Sequence, residues 1–156
     1  YSLDNDPVRR VTVKEEMEAL KLYLDIERTR FGDRLKVNFV IDPEAEAIRI
    51  PSLILQPLAE NAIKYAVAPM EEGGKITIKA MRGEGHVVIE LNDTGPGMPD
   101  FVYDSASGGV GLRNTVDRLH GFYGDSYGFQ IKGEPSRGTS VVMKLPLEKK
   151  ETIFEV

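Results

Sequence analysis

Leu55-Gln56-Pro57-Leu58-Ala59-Glu60-Asn61-Ala62-Ile63-Lys64-Tyr65 is an apolar and polar alternation with helical spacing. Leu55, Leu58, Ala59, Ala62, Ile63 and Ala66 recur three and four apart, so they form one buried face. Pro51 is expected to open this helix, where a missing amide proton costs little, and Pro57 to loosen or bend its first turns. Asn61 and Lys64 stand three apart and project from one side, presenting an amide and an ammonium together. Two glycine-rich stretches follow in fixed order. Asp93-Thr94-Gly95-Pro96-Gly97-Met98 is a tight turn that starts with a carboxylate, and Gly108-Gly109-Val110-Gly111-Leu112-Arg113-Asn114 reads as a glycine loop running into a helix.

Working outward, Thr12-Val13-Lys14-Glu15 is a capping box. Behind it Met17, Leu20, Leu24, Glu27 and Phe31 fit a helix of about five turns, which Gly32 stops. Val37, Phe39 and Ile41 alternate as in a strand ending at Asp42-Pro43. Strands are predicted over 75–81 and 87–91, joined at Gly83-Glu84-Gly85, and a helix over 111–119. A hairpin over 129–132 and 139–145 turns at Glu134-Pro135-Ser136-Arg137-Gly138. About three helices clustered between five strands predict an α/β fold, a mixed sheet covered on one face by helices.

Composition sets limits on function. The chain has 156 residues, 41% hydrophobic and 29% charged, which fits one globular domain. Its net charge of −5 argues against a broad grip on nucleic acid. It has no cysteine, which excludes disulfides and thiolate chemistry. No apolar run approaches the ~18 residues needed to span a bilayer. The opening Tyr1-Ser2-Leu3-Asp4 has no initiator methionine and reads as cut from a longer chain, so a cytoplasmic piece of something larger is expected.

Each motif offers one part of a ligand site. Asn61 supplies a neutral oxygen for a hard cation such as magnesium, and Lys64 a charge for phosphate oxygens. Tyr65 can flank a purine ring. By itself the helix reads more readily as a solvated edge on which Glu60 and Lys64 pair. Asp93 can accept from the exocyclic amine of adenine and would oppose the carbonyl of guanine. The glycines after it let a flat ring approach, although the same residues make ordinary surface turns. Glycine-loop amides and a helix dipole converge on negative charge, and Arg113 in the first helical turn can touch phosphate. Met98 reads as core or pocket lining, and His86 and His120 as exposed structural residues. Together the three motifs point to a magnesium-bound purine nucleotide.

These residues resemble the N, G1 and G2 boxes of the GHKL (Bergerat-fold) ATPase superfamily, with Arg137-Gly138-Thr139 similar to its last box. More narrowly, Arg30-Phe31-Gly32-Asp33-Arg34-Leu35, the stretch from Leu55 to Lys64, and Gly111-Leu112-Arg113-Asn114 are similar to LytS-type sensor histidine kinases. The resemblance runs from about residue 1 to 147 and implies a two-layer α/β sandwich, the Bergerat ATP-binding fold. It implies transfer of the ATP γ-phosphoryl group to a histidine on a dimerisation domain, then to an aspartate of a response regulator. Carried over by position, Asn61 would hold Mg2+, Lys64 and Arg113 the phosphates, and Asp93 the adenine amine. Gly95, Gly97, Gly109 and Gly111 would shape pocket and lid, Thr139 would lie near the adenine, and Tyr65, Met98 and Leu112 would complete the nucleotide-binding set.

The implied organisation is 1–11 as the end of a preceding dimerisation and phosphoacceptor region or linker, 12–147 as the ATP-binding catalytic domain and 148–156 as a tail. The isolated domain is expected to be monomeric and the full protein a homodimer. Neither His86 nor His120 sits in a segment like the family's phosphoacceptor. The phenylalanine-rich box of many orthodox kinases is missing, with only Phe101 nearby. Hydrolysing branches of the superfamily place a glutamate one turn before the asparagine. Pro57 stands there, and Glu60 lies roughly 100° around the helix from Asn61, which makes it a weaker base candidate. An anti-sigma-type serine kinase or an inactive nucleotide-binding module shares the fold and is the alternative.

Overall fold

A computed structural model describes residues 9–95, 106–134 and 138–147. The capping box forms as read. Glu15 N–H donates to Thr12 Oγ1 at 3.1 Å, and Thr12 N–H donates to Glu15 Oε1 at 2.8 Å. Helix α1 (Val13–Phe31) starts there and stops at Gly32, whose φ of 59° suits glycine. The amides of Val13 and Lys14 donate to the carbonyls of Ile48 and Glu46 at 2.8 and 3.0 Å, which satisfies donors that a helix start leaves unpaired.

Ahead of α1, strand β1 (Arg10–Thr12) pairs antiparallel with β3 (Arg49–Pro51), Val11 opposite Ile50. This small sheet was not legible, because three residues are too few to show alternation. It also corrects the expectation for Pro51, which ends β3 and does not open the helix. Helix α2 (Gln56–Ala62) begins five residues later, and Pro57 lies in its first turn, where no intrahelical N–H bond is lost. The helix then widens into a π-helical turn (Ile63–Val67), closed by Ala68 N–H donating to the Ile63 carbonyl at 2.8 Å.

The main sheet has the five strands expected: β2 (Leu35–Ile41), β4 (Gly74–Gly83), β5 (His86–Asp93), β6 (Gly128–Glu134) and β7 (Gly138–Pro146). Their order is β2-β4-β5-β7-β6, with β2 parallel to β4 and the other pairs antiparallel, so the sheet is mixed. Ile76, Ile78 and Ala80 of β4 are buried, whereas Lys75 and Met81 on its other face are exposed. The buried face, with Val87, Ile89, Leu91 and Met143, forms one core with Leu20 and Leu24 of α1 and Leu58 of α2.

Helix α3 (Ala106–Tyr123) starts earlier than expected. It takes Gly108, Gly109 and Gly111 into its first turns, in place of the loop that the glycine pattern predicts ahead of the helix. Each helical glycine costs roughly 1 kcal/mol, but the buried Leu112, Thr115 and Leu119 hold the same helix against the core. At its far end, the Arg10 guanidinium stacks 4.7 Å from the Phe122 ring and so joins β1 to α3. Among the described residues, no helix is long and apolar enough to cross a membrane.

Replacing Thr12 by Ala removes one side of the capping box without touching the core. Chemical denaturation should show a loss of about 1 kcal/mol with an unchanged denaturant slope. A change under a few tenths would mean that the Ile48 and Glu46 carbonyls hold the helix start unaided.

Candidate functional site

Asp93 is the last residue of β5, and two backbone amides bind its side chain. Gly95 N–H donates to Asp93 Oδ1 at 3.0 Å and Thr139 N–H donates to the same oxygen at 3.1 Å. One carboxylate oxygen therefore ties the end of β5 to the turn after it and to the start of β7. Burial pushes the Asp93 carboxyl above the ordinary carboxylate range, against the pull of these two amides.

There is no room for a side chain at Gly95 or at Gly138. A Cβ on Gly95 would stand 2.5 Å from the Ala66 Cβ, and one on Gly138, whose φ is 92°, would run into the Asp93 carbonyl. Thr94 fixes the turn from below: its Oγ1 accepts from Lys75 N–H at 2.9 Å and its own N–H donates to the Lys75 carbonyl at 3.2 Å. Asp93-Thr94-Gly95 is thus wedged against Ala66, in the same π-helical turn as Lys64 and Tyr65.

On that helix Asn61 and Tyr65 are half-buried, while Glu60 and Lys64 are exposed. Lys64 Nζ rests 5.2 Å from the Tyr65 ring centroid. Glu60 accepts from Gln56 Nε2 at 3.2 Å, one turn earlier. Helix α3 packs against α2, with Leu112 buried and Arg113 exposed, and Thr139 is buried at the start of β7. The structure therefore brings together the elements that carry Glu60, Asn61, Lys64, Tyr65, Asp93, Gly95 and Thr139, with α3 beside them. Gly109 and Gly111 enter only as backbone of α3. Gly97 and Met98 lie outside the described residues, as does the 135–137 turn.

The histidines have local roles. His86 Nδ1 lies 2.9 Å from the Glu84 carbonyl, and His120 Nδ1 lies 3.7 Å from Asp125 Oδ1 with its ring edge-on to Tyr127.

Sequence reading missed Glu16, and it gave Arg34 no role of its own although that residue lies in the Arg30–Leu35 stretch. Glu16 Oε1 accepts from Leu53 N–H at 3.0 Å, and its Oε2 accepts from Ile54 and Leu55 N–H at 3.0 and 3.2 Å. Arg34 Nη2 donates to the carbonyls of Val67, Ala68 and Met70 at 3.2, 3.2 and 2.7 Å. One signal was available: Glu16 is a charge four residues before Leu20, on the apolar stripe of α1.

Residues 47–149 match the family described as "Histidine kinase-, DNA gyrase B-, and HSP90-like ATPase". The chain is 42% identical over 137 residues to sensor histidine kinase YesM of Bacillus subtilis, covering 87% of this chain and 24% of that protein. It is 34% identical over 140 residues to sensor histidine kinase BtsS of Escherichia coli, covering 90% of this chain and 24% of that protein. The chain thus spans about a quarter of the length of these curated relatives. Among solved structures, the catalytic domain of histidine kinase ThkA superposes with a TM-score of 0.69 at 17% identity, covering 88% of this chain and 94% of that one. Acinetobacter baumannii histidine kinase AdeS gives 0.69 at 16%, covering 90% and 68%. At these identities the structural likeness is one of fold. The sequence match spans the site helix and the carboxylate turn alike, and by it this chain belongs to the histidine kinase-, DNA gyrase B- and HSP90-like ATPase family.

Proposed function

We propose that this chain is the ATP-binding catalytic domain of a sensor histidine kinase of the LytS type. It would move the γ-phosphoryl group of ATP to a histidine on a dimerisation domain of the same protein, for relay to a response regulator. In this reading the domain works in the cytoplasm, residues 12–147 form the catalytic unit, and the full protein is a homodimer. The observation that carries the reading is the seating of Asp93-Thr94-Gly95 on Ala66, in the same turn as Lys64 and Tyr65. The similarity to YesM over most of the chain supports it.

The donor set fits the implied ligands. Among the described residues no three His, Cys, Asp or Glu side chains gather to cage a metal. An amide oxygen from Asn61 suits magnesium, which keeps several waters and binds largely through substrate phosphates. When bound, that ion would neutralise phosphate charge. The protein's own part is positioning, since phosphoryl transfer asks little covalent work of it. Asp93 accepts from the adenine amine and Tyr65 flanks the ring. Thr139 lies beside the base. Lys64 and Arg113, both exposed, reach the phosphates. Glu60, beside Asn61, is the carboxylate available to take the proton of the acceptor imidazole.

Asp93→Asn should weaken ATP binding by roughly 10- to 150-fold in calorimetry, the range for a hydrogen bond to a charged group, with the circular dichroism spectrum unchanged. Near-normal affinity would overturn the adenine assignment. The ionised carboxylate is the form that accepts the amine, so wild-type affinity should fall as pH drops through a midpoint above the ordinary 3.8, and Asp93→Asn should abolish that step.

Asn61→Ala should remove most of the dependence of nucleotide affinity on magnesium. An unchanged magnesium titration would count against its role. With the phosphoacceptor domain supplied, γ-phosphate-labelled ATP should give an acid-labile product, whereas an acid-stable one would indicate serine phosphorylation.

A further inference from the structure

Side chains from outside helix α2 and its π-helical turn hold both ends of the pair. The residue before α2, Leu55, makes no side-chain cap, and Leu53 takes a left-handed φ of 59°, rare for a residue with a Cβ. Glu16, 4% exposed, holds the turn that leads into the helix: its two oxygens take the amides of Leu53, Ile54 and Leu55, the last being the residue before α2. At the other end Arg34 Nη2 gathers the carbonyls of Val67, Ala68 and Met70. A negative group thus sits at the positive end of the helix and a positive group at its negative end, the arrangement favoured by the aligned peptide dipoles. Both groups belong to one unit, α1 and the single turn after it (Gly32–Arg34), and both lie outside the 47–149 stretch that the family match covers. Arg118 of α3 also acts electrostatically on Glu16, which brings the helix of the glycine motif to the same junction.

We infer that Glu16 and Arg34 are positioning residues which hold the Asn61 helix from both ends, so that the placement of α1 sets the geometry of the nucleotide site. The inference rests on the assignment of α2 to that site. Neither side chain need touch nucleotide. Glu16 fixes where the helix starts and so the rotation at which Asn61 and Lys64 emerge. Arg34 fixes where the π-helical turn ends, and with it Ala66, the seat of Gly95. A shift of α1 along its axis would therefore reach both Asn61 and the Asp93 turn.

The test compares Glu16→Gln, Arg34→Gln and Arg34→Lys with Thr12→Ala, which weakens α1 at its cap without touching α2. Binding of ATP with and without magnesium is measured by calorimetry, and folding by circular dichroism and thermal unfolding. Glu16→Gln and Arg34→Gln should each lower magnesium–ATP affinity about tenfold or more, Arg34→Lys less, and Thr12→Ala not at all at comparable stability loss. In an Asn61→Ala background the losses from the two Gln substitutions should shrink, because one of the groups they place is gone, leaving the part carried by Lys64 and the Asp93 turn. Should Glu16→Gln not fold, the two Arg34 variants carry the same comparison.

Folded variants that bind magnesium–ATP like wild type would overturn the inference alone, as would losses that persist in full without Asn61. Failure of wild type to bind ATP would overturn the functional reading and the positioning role with it.

Discussion

The Glu16 carboxylate, buried and facing three backbone amides, is the interaction on which the rest of the architecture depends. A buried charge is costly unless hydrogen bonds compensate it, and here Leu53, Ile54 and Leu55 do so. Burial still wins the balance and raises the carboxyl's pKa, although the amides and Arg118 pull it down. Breaking the junction would leave orphaned donors in the turn that leads into α2 and an uncompensated charge in the core. The same junction explains Leu53: its left-handed conformation turns successive amides toward one acceptor.

From this junction the site follows. With α2 fixed at its start, the π-helical turn carries Ala66 to the point where Gly95 must pass, and only glycine fits there. The Asp93 carboxylate then joins three chain segments by accepting two backbone N–H hydrogen bonds, so the proposed base-recognition group also organises the strand ends around it. At Tyr23 of α1, burial first, then the charges of Glu27 and Glu60, push the phenol up to about 12.

Much of this was legible because it is local. The capping box at Thr12, the glycine stop at Gly32 and the alternation in β2, β4 and β5 depend on neighbours within a few residues, and each formed where its pattern stood. What failed was also local, but too weak in signal. Three-residue strands carry no period, so Pro51 was read as a helix start when it ends β3. Glycines at 108–111 prefer loops by propensity, yet the buried stripe of α3 extends the helix through them, a tertiary preference that overrides an intrinsic one.

By itself the sequence determined the element types, the mixed α/β class and the kinds of chemical group on offer, since periodicity and side-chain chemistry are properties of short windows. The tertiary structure alone decided which of those groups meet. Glu16 and Leu53 stand 37 positions apart, and Asp93 and Thr139 stand 46 apart. No local pattern encodes such pairings, because they arise when one sheet and its helices bury a common core and leave each polar group whichever partner the packing brings within reach.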